Sequence, residues 1–234
     1  MEGVYSLKNK SETTVFTPTN LVAFILTTMA GWIDAVGAKL FLYERSSYIS
    51  GRGSSIGFWI YKGDKGALIA VVLIVISFIL GSYIGARISS KAGLTRGLFF
   101  TASLIFIAAF YIKSKAINIT TIIIPAAMGI QNATTSLTPI GRTTHLTGPS
   151  TDLGISLARK NKERVLPVLI CWIGFPLGAY FGYNLANMAT NNIIKHSTTL
   201  IIPAVIILLT AIAQRLIFHI PLLEIENKDR SKIL

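Results

Sequence analysis

Charge is what this sequence has least of. Only 14% of its 234 residues are Asp, Glu, Lys or Arg, against roughly a quarter in soluble domains, while 52% are apolar. Val71 to Tyr83 contains no ionisable side chain except tyrosine, and Asn118 to Ile140 contains no charge at all. Stretches of that length read as membrane spans rather than buried core, which excludes a soluble enzyme and the disordered and fibrous classes. The single cysteine, Cys171, sits in an apolar run and excludes an intrachain disulfide framework. Three scattered histidines beside one cysteine offer no metal-ligand spacing, so neither a metal nor another cofactor is expected. A phosphate loop of the Gly-x-x-x-x-Gly-Lys-Ser/Thr type is also missing, which argues against an ATP-driven pump. Ser54 and Ser55 have no histidine partner that the sequence can bring near them. No catalytic residue is therefore assigned, and the chain is not expected to be an enzyme.

The net charge of +12 would suggest nucleic acid in a soluble protein. In a membrane protein Lys and Arg in the loops fix orientation and attract lipid headgroups, so membrane lipids are the expected partners and nucleic acid is not. A homo-oligomer is left open. The fold class expected is an all-α polytopic membrane bundle. Six runs read as transmembrane helices: 20–42, 66–90, 96–112, 117–138, 165–189 and 198–220. Residues 46–61 and 143–160 are ambiguous between spanning, broken and re-entrant, the second because it contains Gly148-Pro149.

The chain repeats itself. Ala30-Gly31-Trp32-Ile33-Asp34-Ala35 matches Met128-Gly129-Ile130-Gln131-Asn132-Ala133 at an offset of 98. Ser50-Gly51 matches Thr147-Gly148, and Gly81-Ser82-Tyr83-Ile84-Gly85 matches Gly178-Ala179-Tyr180-Phe181-Gly182, both at 97. This gives a short N-tail (1–19), a first membrane repeat (20–113), a second (117–220) and a C-tail (221–234). If the ambiguous segments span, each repeat has four helices and the copies are parallel; if not, each has three and they are inverted. Both arrangements put fourteen of the 22 Lys and Arg on the side of the two termini, so both expect cytoplasmic termini and charge cannot choose between them. Four helices per repeat is preferred, because Ile56-Gly57-Phe58-Trp59-Ile60 is too apolar to leave outside the bilayer.

Asp34 is the sharpest chemical signal, the fifteenth residue of a 23-residue run. A carboxylate at that depth costs about 2.5–3.5 kcal/mol to insert, so it should face the bundle interior or water. Its repeat mate is Asn132. Together with Gln131 these suggest a proton, cation or substrate site between the repeats, the alternative being an interhelical hydrogen bond. On the first reading, Asp34→Asn should impair function and leave folding intact. Ser50-Gly51 and Thr147-Gly148 are either helix breaks that free backbone groups for a ligand or simply helix starts. Arg52, Arg142, His145 and Asp152 lie near them as secondary candidates. Gly81 and Gly85, and Gly174, Gly178 and Gly182, form small-residue stripes that suit close helix packing.

Gly31-Trp32-Ile33-Asp34-Ala35-Val36-Gly37 resembles the opening motif of the YoaK-like family of uncharacterised bacterial membrane proteins. Met128-Gly129-Ile130-Gln131-Asn132-Ala133 is similar to that family's second motif, Thr147-Gly148 to the Thr-Gly that follows, and Gly81-Ser82-Tyr83-Ile84-Gly85-Ala86 to its glycine-rich helix. The resemblance covers residues 23–183. It departs at Ser50-Gly51-Arg52, where the family usually has Thr-Gly-Asn. It implies a bacterial inner-membrane protein and supplies no substrate. The expectation that follows is a small secondary transporter or permease with a polar site at the repeat interface. A non-transporting scaffold or accessory subunit is the alternative, and an intramembrane lipid-acting enzyme stands behind it.

Overall fold

A computed structural model of the chain describes residues 17–40, 49–112 and 119–223. Most of both expected tails lies outside the described residues. All regular structure among those described is helical: α1 (Pro18–Leu40), α2 (Ile49–Lys62), α3 (Lys65–Phe110), α4 (Thr120–Ser136), α5 (Thr147–Ala158), α6 (Lys162–Thr190) and α7 (Thr198–Ala213), closed by a π-helical turn (Gln214–Phe218). Polar side chains start two of the long helices. Asp64 accepts from the Ala67 N–H ahead of α3, and Asn161 accepts from the Arg164 N–H ahead of α6. Four helical stretches are long and apolar enough to cross a membrane: Pro18–Leu40, Lys65–Phe110, Arg164–Thr190 and Thr198–Phe218.

A straight α3 would be about 69 Å long, more than twice the thickness of a hydrocarbon core. It is not straight. Gly93 has φ 79° and ψ 174°, a left-handed conformation that glycine adopts without a Cβ penalty, and the helix folds there into two arms. Ser89 and Gly97, one on each arm, both meet Thr134 of α4.

The packing fixes the direction of each helix. The first arm of α3 runs parallel to α4: Gly81 lies on the backbone of Ala126, Gly85 on that of Ile130, and Ser89 donates to Thr134 Oγ1 at 2.8 Å. In the same way α1 runs parallel to α6, with Gly178 on the Thr28 backbone and Gly182 on that of Trp32. By contrast, α1 and α4 are antiparallel. Gln131 bonds the Leu26 carbonyl, and beyond it Ser136, Pro139 and Ile140 come together with Thr19, Asn20 and Ala23. At the opposite end of the bundle, Ala109, Phe110 and Ile112 share a cavity with residues 192–197.

These directions fit poorly with the preferred four crossings per half. That scheme puts the start of α1 and the end of α4 on opposite faces, whereas they lie together. It also separates residues 109–112 from 192–197, which meet. The two ambiguous segments are the cause. At 12 residues α5 rises only about 18 Å, short of a core of about 30 Å, and the described part of α2, 14 residues from Ile49, rises about 21 Å. Ile56 to Ile60 is apolar, as a membrane-embedded segment must be, without being part of a full crossing.

The outer faces of α3, α6 and α7 expose Ile76, Leu80, Phe99, Phe106, Ile173, Tyr180 and Leu209. In water so large an apolar belt would need a cover, and lipid supplies one. Of the four long apolar stretches α1 is the most enclosed, 78% buried over its most apolar part, against 22% for α3, 17% for α6 and 39% for the last. Polar groups on α1 therefore face protein, which makes their partners informative.

Candidate functional site

Asp34 is buried in α1, and a second buried charge, Arg52, lies within its electrostatic reach. The side chains of Asp34 and Arg52 are 3% and 2% exposed, and the Asp34 carboxylate acts electrostatically on the Arg52 guanidinium. Arg52 stands in the first turn of α2 with Ser50 and Gly51. At the offset of 97 that aligns Ser50-Gly51 with Thr147-Gly148, Arg52 corresponds to Pro149 in the first turn of α5. Thus each of the short helices begins with one of the paired motifs, and the two differ in the residue that follows.

Gln131 is fully buried in α4. Its Nε2 donates to the Leu26 carbonyl and to Thr143 Oγ1, both at 3.1 Å, and Thr143 also lies 3.3 Å from Thr135 Oγ1. The connection between α4 and α5 is in this way drawn back along α4 to the level of Gln131. From there α5 returns along α6: Trp172 Nε1 donates to Ser150 Oγ at 3.0 Å, and Asp152 pairs with Arg164 at 4.0 Å. The start of α5 thus lies near Trp172, ten residues or about 15 Å along α6 from its first residue.

Three oxygens around Gln131 lack donors. Gln131 Oε1, Asn132 Oδ1 and Thr144 Oγ1 are buried with no hydrogen-bond partner among the described residues. A buried polar atom left unpaired costs about 1–3 kcal/mol. Thr143, the partner of Gln131, also lines a cleft of about 620 Å³, bounded by Asn20, Ala23 and Thr27 of α1, by Arg142, by Gly148, Pro149 and Asp152 of α5, and by Arg164 and Cys171 of α6. His145 sits close behind Arg142. Burial, and then the Arg142 charge, hold its imidazole below the ordinary value of 6.5, so it is neutral at pH 7.

The sequence-predicted residues therefore divide into two groups. Leu26, the partner of Gln131, and Asp34 are eight residues or about 12 Å apart along α1. Asp34 and Arg52 form one group, and Gln131, Asn132, Thr147 and Gly148 gather at the other with Arg142 and His145. Asp152 and Arg164 are exposed at the cleft mouth. Gly81, Gly85, Gly174, Gly178 and Gly182 lie in helix contacts, Gly174 against Phe24 and Thr28. Sequence reasoning missed Thr27, Thr143, Thr144, Arg164 and Cys171. The repeat register was the one signal that could have found part of this set, since it aligns α5 with α2. Among the described residues, no group of three or more His, Cys, Asp or Glu could hold a metal ion.

A family model described as Protein of unknown function (DUF1275) matches residues 22–213, in line with the resemblance read from the Asp34 and Gln131-Asn132 motifs. No curated protein and no solved structure matches the chain.

Proposed function

We propose, from the premise that the chain belongs to the DUF1275 family, that it is a small secondary transporter or permease of the bacterial inner membrane. Six segments cross: α1, the two arms of α3, α4, α6 and α7. They form two halves of three, inverted with respect to each other, and each half carries one short re-entrant helix, α2 or α5. The recurrence of contacts supports this arrangement. Gly81 on Ala126, Gly85 on Ile130 and Gly129 on Phe78 have as counterparts Gly178 on Thr28, Gly182 on Trp32 and Gly31 on Phe175, each residue shifted by 97 or 98. Inverted repeats enclosing a central site with broken or short helices are a recurring solution to alternating access.

One observation carries the transport reading. In the second half the start of the re-entrant helix opens on a cleft that reaches Thr27 and Thr143, and Thr143 is bonded by Gln131 behind it. In the first half the short helix carries instead the buried Arg52 in its first described turn, within electrostatic reach of Asp34. A carrier open on one side and shut on the other has this asymmetry. The open side is the one with Arg87, Lys91, Arg96 and Arg142, and by the distribution of positive charge it faces the cytoplasm. On this reading Asp34 serves as the counter-charge of Arg52 rather than as a free cation site.

The test is stabilisation by solute. A ligand at a hundred times its dissociation constant adds about 2.7 kcal/mol, so at least one member of a panel of neutral, anionic and cationic solutes should raise the melting temperature of the purified protein. In inside-out vesicles of a Cys171→Ser background, Thr27→Cys should react with an impermeant maleimide. No stabilising solute, together with an unreactive position 27, would overturn the proposal.

A further inference from the structure

The charge around the cleft has a sign. From α1 it receives Thr19, Asn20, Ala23 and Thr27, and from α4 Ser136, none of them charged. The α4–α5 connection contributes Arg142, α5 contributes Asp152, and α6 contributes Arg164. Asp152 is already engaged by Arg164 at 4.0 Å, and His145 behind Arg142 is neutral at pH 7. One positive charge, on Arg142, is left over.

The backbone adds to it. At the inner end of the cleft α5 begins with Gly148 and Pro149 on the lining, and no side chain caps its first turn. Pro149 has no N–H and the Ser150 N–H bonds the Leu146 carbonyl, so the donors left to this turn are the Thr147 and Gly148 amides, whose partial positive charge favours anions. Nothing lies within 4 Å of where a Cβ of Gly148 would be, so a ligand can approach this backbone. Thr27 and Thr143 line the wall between the turn and α1, the Thr143 hydroxyl being held by Gln131 and Thr135 behind it.

We infer that the cleft is a binding site for a small organic carboxylate, with the Arg142 guanidinium and the first turn of α5 taking the carboxylate group. The polar wall around Thr27 and Thr143 faces the remainder of the molecule. This deepens the transport reading by giving the solute a class, and it rests on that reading only for the statement that the bound anion is carried.

Cys171, the chain's single cysteine, lines the cleft and reports occupancy without any engineered label. The experiment measures the rate at which a small maleimide alkylates Cys171 in full-length protein in lipid nanodiscs, at constant ionic strength, with sodium malate, sodium chloride or choline chloride as probes. Only ligand-free protein reacts, so malate at ten times its dissociation constant should slow alkylation about tenfold, and chloride and choline should leave it unchanged. Arg142→Gln should abolish the protection and Arg142→Lys should retain most of it; both sit at an exposed position where folding is not at stake. Protection by choline, or malate protection that survives Arg142→Gln, would overturn the inference. Alkylation that malate does not slow would also overturn it, while the cleft would still stand as an open entrance. A Cys171 that an impermeant maleimide reaches only after denaturation would instead remove the entrance, and the transport reading with it.

Discussion

A carboxylate buried in an apolar helix has to be compensated, and the identity of the compensating group decides what its removal does. For Asp34 that group is the guanidinium of Arg52, itself only 2% exposed. Breaking a buried pair by neutralising one partner costs about 3–5 kcal/mol, because the other charge is stranded. Asp34→Asn is therefore expected to destabilise the protein nearly as much as Asp34→Leu, contrary to the behaviour of an isolated proton site. Arg52→Gln added to Asp34→Asn should recover a large part of the loss. Thermal unfolding of the two single variants and the double variant gives the coupling, and additive losses would rule the pair out. The depth of Asp34 was legible in the sequence, but its partner was not. Eighteen residues and a change of direction separate them, and Lys39, the nearest cation in the chain, lies on another face of α1.

At the scale of the helix, the same residue type does different jobs according to what lies beside it. A methyl group at Gly81 would overlap the backbone of Ala126, and one at Gly178 the backbone of Thr28, whereas a Cβ at Gly154 meets nothing within 4 Å. Backbone cannot rotate aside as a side chain can, so Gly81→Ala and Gly178→Ala should force the helix pairs apart at about 1–3 kcal/mol each. Gly154→Ala in α5 should be neutral or stabilising by up to about 1 kcal/mol, since it removes freedom from the unfolded chain. Melting temperatures of the three variants decide the matter, and equal losses at all three positions would refute the packing assignment. The four-residue spacing of these glycines made a packing stripe readable from sequence. Which helix each stripe serves was hidden, because each stripe packs on a helix of the opposite half: α6 on α1, and α3 on α4.

For the whole molecule, composition identified an all-helical chain with membrane-spanning runs, and periodicity identified the paired motifs, but neither fixed the direction of travel. The charge split is fourteen to eight in both arrangements, since moving one face's loops to the other exchanges equal numbers of cations. What decides is which helix ends meet, a long-range property with no local signature. The start of α1 meets the end of α4, and residues 109–112 meet 192–197. Six crossings put the bend of α3, with Ser90, on the opposite face from Asn192, whereas eight put both on one face. In a Cys171→Ser background, Ser90→Cys and Asn192→Cys separate the two. Both positions are exposed, so accessibility reports the side of the membrane rather than burial. In intact spheroplasts an impermeant maleimide should label position 192 at once and position 90 only after permeabilisation. If both label before permeabilisation, the chain crosses eight times, and the inverted pair of halves has to be abandoned along with the alternating-access reading built on it.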